Sequence, residues 1–299
     1  MSVCTIVIPT HNREALLERA VRSALATCPA DGEVLVVDDK SDVPAVQVLA
    51  HLDDARLRVT VNPGASGAAS ARNWGVSQAA GEVVFFLDDD DEMLPDYCRR
   101  VLSTDGPAEQ AGWGFSSTIE RRERAGARDM PRVRRRLRQG LVPQTARPRD
   151  QIAAMGYGFW IRKALFQQIG GLDPLQTIDE DTDLCVRLLA AGHRPWYEPS
   201  AGTVVYRDYL PARAGAAQLT VATPALRGLA CYRRTHDKSA VAFRSLGAMR
   251  WFLATRYLRR AVKAGRWPDA AAFAWAQRPR LLALSLIAFV QLKRLVHRT

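Results

Sequence analysis

The chain has 299 residues, 47 % of them hydrophobic, enough apolar content for a sizeable core in one large domain or a domain with an extension. Five scattered cysteines form no CxxC pair, which argues against a disulfide frame or a zinc site and favours reduced thiols in a cytoplasmic compartment. The net charge of +11 is uneven: acids cluster in the first hundred residues and bases crowd the middle and the C-terminal third, so the basic excess points to a polyanionic partner.

The chain enters strand-like sequence at Val3 with no charged and then apolar leader, so no signal peptide is expected. Thr5–Pro9 reads as a short strand, and Asn12 is placed to cap the helix behind it. In that helix Leu16, Leu17, Ala20, Val21, Ala24 and Leu25 recur at helical spacing. Glu33–Val37 is a second buried strand, and it runs into Asp38 and Asp39. A helix around Ala45–Leu52, a strand over Leu57–Val61 and the turn Asn62-Pro63-Gly64 follow. The small-residue segment Ser66–Ala80 reads as a helix closed by Gly81 at its C-terminal cap.

The apolar run Val83–Leu87 has no polar alternation, as expected of a strand buried on both faces. It stops at four consecutive carboxylates, Asp88 to Asp91. Such a cluster is costly without a cation, and in open α/β sheets ligands gather beyond the carboxyl ends of strands. A divalent-metal site holding a phosphorylated ligand is therefore expected there. The β-α-β-α-β-α-β order predicts a three-layer α/β fold with a mostly parallel sheet.

Trp113–Thr118 reads as another strand, followed by an Arg-rich insert at about 120–150. Residues 121–138 hold nine arginines against two acids, without the interleaved aromatics that stack on bases, so no nucleic acid is expected as a partner. A solvated loop, or a surface for an anionic acceptor or lipid phosphate, is the expectation. Beyond Asp208 the composition turns to Ala, Leu, Arg and Trp, with helices expected over Ser239–Ala264 and Asp269–Val296. The apolar run Leu281–Val290 is too short to span a bilayer. An interfacial helix on an anionic membrane face, burial against the preceding domain and a dimer contact all fit it. The expected division is 1–210 for the α/β domain and 211–299 for a helical C-terminal extension.

Taken in order, Thr5-Ile-Val-Ile-Pro-Thr-His-Asn-Arg13, Val36-Val-Asp-Asp-Lys-Ser-Asp42, Ala71-Arg-Asn-Trp-Gly75, Gly81-Glu-Val-Val-Phe-Phe-Leu-Asp-Asp-Asp-Asp91, the segment 158–173 and Asp179-Glu-Asp-Thr-Asp183 resemble family 2 glycosyltransferases of the GT-A fold. The resemblance covers roughly residues 3 to 210. It implies an inverting transfer of sugar from a nucleoside-diphosphate donor, with UDP favoured, to a hydroxyl on a glycan, lipid-linked or small-molecule acceptor.

By the same resemblance Pro9, Thr10, His11, Asp39, Asn62 and Arg72 would meet the donor nucleotide. Asp88 and Asp90 match the D-x-D pair, holding Mg²⁺ or Mn²⁺ and the diphosphate. Asp181 matches the general base, with Glu180 orienting the acceptor or steadying the helix. The fold's late metal-ligating histidine is absent from Val204-Val-Tyr-Arg207, which leaves His236 as its candidate. A dinucleotide-binding domain is excluded, because Pro9-Thr10-His11-Asn12 is no glycine-rich turn and no P-loop occurs. A nucleotidyltransferase should carry a Gly-rich basic first loop. A non-catalytic sugar-nucleotide-binding module would not need Asp88, Asp90 and Asp181 together. A cytoplasmic protein, peripheral on the membrane face at most, is expected.

Overall fold

The computed structural model describes residues 3–122, 128–207, 225–242, 247–277 and 280–296. Its strands are β1 (Cys4–Thr10), β2 (Glu33–Asp38), β3 (Leu57–Val61), β4 (Val83–Phe86), β5 (Glu92–Met93), β6 (Trp113–Arg122), β7 (Met130–Arg132), β8 (Gly140–Leu141), β9 (Trp160–Arg162) and β10 (Trp196–Arg207). They form one sheet in the order β3-β2-β1-β4-β9-β6-β10-β5, with β7 on β6 and β8 on β10. Strands β3, β2, β1 and β4 run parallel, as do β6 and β10; β9 joins the two blocks by running antiparallel to both β4 and β6.

Period-two alternation builds the three layers. Ile6, Ile8, Val34, Val36, Val83 and Phe85 face one side, where helix α1 (Glu14–Thr27) buries Leu17, Ala20, Val21 and Ala24. Val7, Leu35, Val37, Val84 and Phe86 face the other. There α3 (Ala68–Gln78) contributes Ala69, Ala71 and Val76, and α7 (Glu180–Ala190) contributes Leu184, Cys185, Val186 and Leu188. The expected strand over Leu57–Val61 is found with those bounds.

Four local expectations are corrected. Asn12 does not cap α1: it sits in left-handed backbone (φ 51°), and its side chain pairs with Asp42 instead. Helix α2 (Ala45–Val48) is only one turn long; the Asp38 side chain holds its first amide, and Ala45 and the following Leu49 are buried in the core. Gly81 lies past the end of α3, whose cap is Ala79; it is glycine because a Cβ would come within 2.2 Å of the Cys4 backbone. The Arg-rich insert is not all loop among its described residues. Met130–Arg132 forms β7, with Arg121 on Asp129 at 2.7 Å and Arg132 on Glu120 at 2.5 Å.

Each expected C-terminal helix is two. They are α8 (Ala225–Ala242), α9 (Gly247–Lys263), α10 (Trp267–Trp275) and α11 (Arg280–Val296). They build an apolar layer of their own from Leu229, Tyr232, Tyr257, Leu258, Phe273 and Leu286, to which Ile178 of the sheet-bearing part is added. Met249 and Leu253 of α9 join the main core. The expected boundary at 210/211 lies outside the described residues. No helix among the described residues is long and apolar enough to cross a membrane.

Candidate active site

Parallel strands β1, β2 and β4 end on one edge of the sheet, and a cavity of about 700 Å³ opens beyond them. Pro9, Thr10, His11, Asp39, Arg72, Asp88, Asp90, Glu180 and Asp181 all line it, a volume that suits a nucleotide-sized ligand.

The two aspartates after β2 do different work. Asp38 accepts the Ser41 and Ala45 amides, each at 2.8 Å, and so shapes the turn. Asp39 reaches the cavity wall and accepts Asn62 Nδ2 at 2.7 Å and the Gly67 amide at 2.6 Å. A carboxylate has about four acceptor sites, so Asp39 retains capacity for a ligand. His11 Nδ1 donates to the Asp39 carbonyl at 2.9 Å. Asn62 does not line the cavity; it is buried behind Asp39 and steadies it, with its own Oδ1 on the Gly64 amide.

Beyond β4 the chain turns so that carboxylate oxygens of Asp88, Asp90 and Asp91 lie within 4.8 Å of one another. Gly156 leaves the room: a Cβ there would come 2.9 Å from Asp91 and 3.2 Å from Asp88. Two arginines share the negative charge. Arg72, 5 % exposed, donates to Asp88 at 2.6 Å, and Arg13 donates to Asp90 at 2.8 Å. The compensation is incomplete. Burial, then repulsion from Asp88, holds Asp90 above the usual carboxylate range and Asp91 well above it. Burial, then the charge of Asp90, pushes Asp89 up to about 7. Three hard oxygen donors with surplus negative charge fit a divalent cation such as Mg²⁺ or Mn²⁺.

Arg72 also bridges the two halves of the cavity, since its other nitrogen donates to Glu180 at 2.9 Å. Asp179 stands just before α7, in left-handed backbone (φ 67°), and its carboxylate pairs with Arg256 of α9. Asp181 follows, accepting the Thr182 amide at 2.5 Å. Burial, then the Asp179 charge, pushes Asp181 up to about 6. With Glu180 committed to Arg72 and Asp179 to Arg256, Asp181 is the one of these three carboxylates with no ion-pair partner among the described residues.

The structure does not bring His236 to the acidic cluster. It is buried in the helical layer, edge-on to Phe273 at 4.8 Å, with Nδ1 on Asp237 at 3.0 Å. Expectations from sequence also missed Arg13, Gly156, Tyr206, Arg207 and Arg227, all of which line the cavity. Of these, Arg13 stood in a segment of the resemblance, and Tyr206 and Arg207 in the strand considered only for a histidine; Gly156 and Arg227 reach the site through contacts distant in sequence.

A profile of the family described as Glycosyl transferase family 2 matches residues 5–169, more than half of the chain. The chain belongs to glycosyl transferase family 2. Among its relatives, the β-1,3-glucosyltransferase of Campylobacter jejuni named for GalNAc(5)-diNAcBac-PP-undecaprenol is 39 % identical over 31 % of this chain and 31 % of that protein. The succinoglycan biosynthesis protein ExoO of Rhizobium meliloti is 29 % identical over 68 % of this chain and 60 % of its own length. The matches thus span about a third to three fifths of these curated relatives. A crystal structure of S. aureus TarS 1-349 in complex with UDP-GlcNAc superimposes with a TM-score of 0.74 at 16 % identity, covering 97 % of this chain and 88 % of that one. At that identity the likeness is one of fold. This family 2 chain has the GT-A architecture, a mostly parallel mixed sheet with helices at the C-terminus.

Proposed function

We propose that this chain transfers a sugar from a UDP-linked donor to a hydroxyl of a lipid-linked glycan, with inversion at the anomeric carbon. The observation that carries this reading is a single cavity joining Asp39, the acidic cluster after β4 and Asp181. Asp39 accepts well from an imide N–H, which suits uracil, and Pro9, Thr10 and His11 border the nucleoside from the end of β1. The TarS structures hold UDP-GlcNAc and UDP, which supports the same donor here.

Asp88, Asp90 and Asp91 would hold Mg²⁺ or Mn²⁺, which when bound offsets charge growing on the departing diphosphate. Arg72 keeps Asp88 and Glu180 in register across the cavity. Asp181 takes the proton of the acceptor hydroxyl as its oxygen bonds to the anomeric carbon. The bond to the diphosphate breaks on the opposite side, and UDP leaves. Burial around Asp181 raises its basicity toward that task.

On the acceptor side the cavity carries Arg207 and Arg227, and the exposed Leu175 and Leu226 flank lining residues Gln176 and Arg227. Basic and apolar groups together suit a lipid diphosphate, the acceptor class in the names of the Campylobacter relative and of the Escherichia coli WfgD glucosyltransferase. Calorimetric titration of UDP with and without Mn²⁺ tests the reading, with GDP, TDP and ADP as controls. Metal-dependent UDP binding that disappears in Asp88→Ala/Asp90→Ala is expected. Failure of every nucleoside diphosphate to bind would overturn it.

A further inference from the structure

The protein's positive charge belongs to its last quarter. Residues 225–299 hold sixteen Arg and Lys against only Asp237 and Asp269, whereas residues 1–224 hold 26 against 29 acids. Both C-terminal acids are already paired, Asp237 with Arg233 at 2.7 Å and Asp269 with Arg266 at 2.6 Å. Arg259 and Lys263 are exposed on α9 and meet no carboxylate among the described residues.

Apolar groups share that surface. Helix α11 buries Ala283, Leu286 and Val290 but leaves Leu284 57 % and Leu292 60 % exposed, two helical turns apart on its outer face. Trp251 of α9 meets Phe289 of α11 edge-on at 6.0 Å, and the Arg259 guanidinium lies 5.6 Å from the same ring. The two helices therefore present indole, leucine and guanidinium groups side by side. A basic, apolar surface of this kind matches lipid phosphates above and acyl chains below.

We propose that α9 and α11 dock this protein on an anionic phospholipid bilayer, with Trp251, Leu284 and Leu292 entering the interface and Arg259 and Lys263 meeting lipid phosphates. This goes beyond the donor chemistry and does not depend on it. Helix α8 begins beside the cavity, where Arg227 lines the wall, so docking through the helical layer holds the cavity near the plane in which a lipid-linked acceptor lies.

Flotation of the full chain with vesicles of phosphatidylcholine alone, or mixed with phosphatidylglycerol, tests the proposal. Binding to the mixed vesicles is expected, falling with salt, with little binding to the neutral ones. Arg259→Gln/Lys263→Gln should weaken partitioning by about fivefold per charge removed. Leu284→Ser/Leu292→Ser should abolish the fraction that survives high salt. Retention of the wild-type unfolding transition by both variants shows that they fold, whatever the result with UDP. Absence of binding to anionic vesicles, or wild-type flotation by both variants, would overturn the proposal. So would equal capture by duplex DNA that ignores the leucine variant, since that would mark a general polyanion surface.

Discussion

Arg256 of α9 holds the Asp179 carboxylate one residue ahead of Glu180 and Asp181, so the helical layer reaches into the start of α7. The rings of Tyr232 and Phe252 flank that guanidinium at 5.2 and 5.7 Å, and the Asp179 side chain is 3 % exposed. Arg256→Ala leaves a buried carboxylate without its partner, and a loss of about 3 kcal/mol of stability is expected. Adding Asp179→Asn should restore most of it. Urea unfolding of the single and double variants measures both, and an Arg256→Ala protein as stable as wild type would dissolve the pair's importance.

Asp181 gives a pH signature. Its folded-state pKa of about 6 lies above the ordinary value of 3.8, so folding favours its protonated form. That contribution is full below pH 3.8 and is lost as pH rises through 6. Asp181→Asn removes the loss, so the variant should exceed wild type by up to about 3 kcal/mol above pH 6 and match it near pH 4. Denaturation at a series of pH values tests this, and the gain should come with lost transferase turnover.

Gly156 sets the spacing of the acidic cluster. The methyl of Gly156→Ala would press on Asp91 and Asp88 together, at 2.9 and 3.2 Å. Mn²⁺ affinity should fall by about tenfold, the size of effect seen when the surroundings of metal ligands are disturbed. Calorimetric Mn²⁺ titration reads it directly. In wild type, Mn²⁺ should also raise the unfolding temperature, and a chelator should reverse the rise.

Neighbouring Asp38 and Asp39 should part company on substitution. Asp38→Ala strands the Ser41 and Ala45 amides and should cost about 2 kcal/mol of stability. Asp39→Ala should weaken UDP binding as well as loosening the Asn62 and Gly67 contacts. Paired thermal unfolding and UDP titration separate the two, and equal loss of UDP binding in both variants would contradict the division.

The sheet was legible because burial on both faces leaves a continuous apolar run, as in Val83–Phe86, and because parallel strands bring their acidic ends to one edge. Asp39 and Asp88 come to the cavity wall as that logic expected, and Asp181 as the resemblance alone implied. What stayed hidden depends on contacts without local pattern. Arg72 meets Glu180 108 residues away, and Arg256 meets Asp179 77 residues away. Gly156 serves the acids only through the space it leaves. His236 and Asn62 were misplaced for the converse reason: a polar side chain's identity does not say whether it faces a cavity or, as Asn62 does, stands behind a residue that does.

Strand β9 is three residues long, yet it alone joins β4 to the block of β6 and β10. Until Trp160–Arg162 arrives, the side of β4 turned away from β1 is an open edge whose backbone groups have no strand to pair with. A fragment stopping short of Trp160 would therefore keep the whole β1–β4 block and still be prone to self-association. During synthesis, the growing chain must carry that sticky edge through more than seventy further residues before it is sealed.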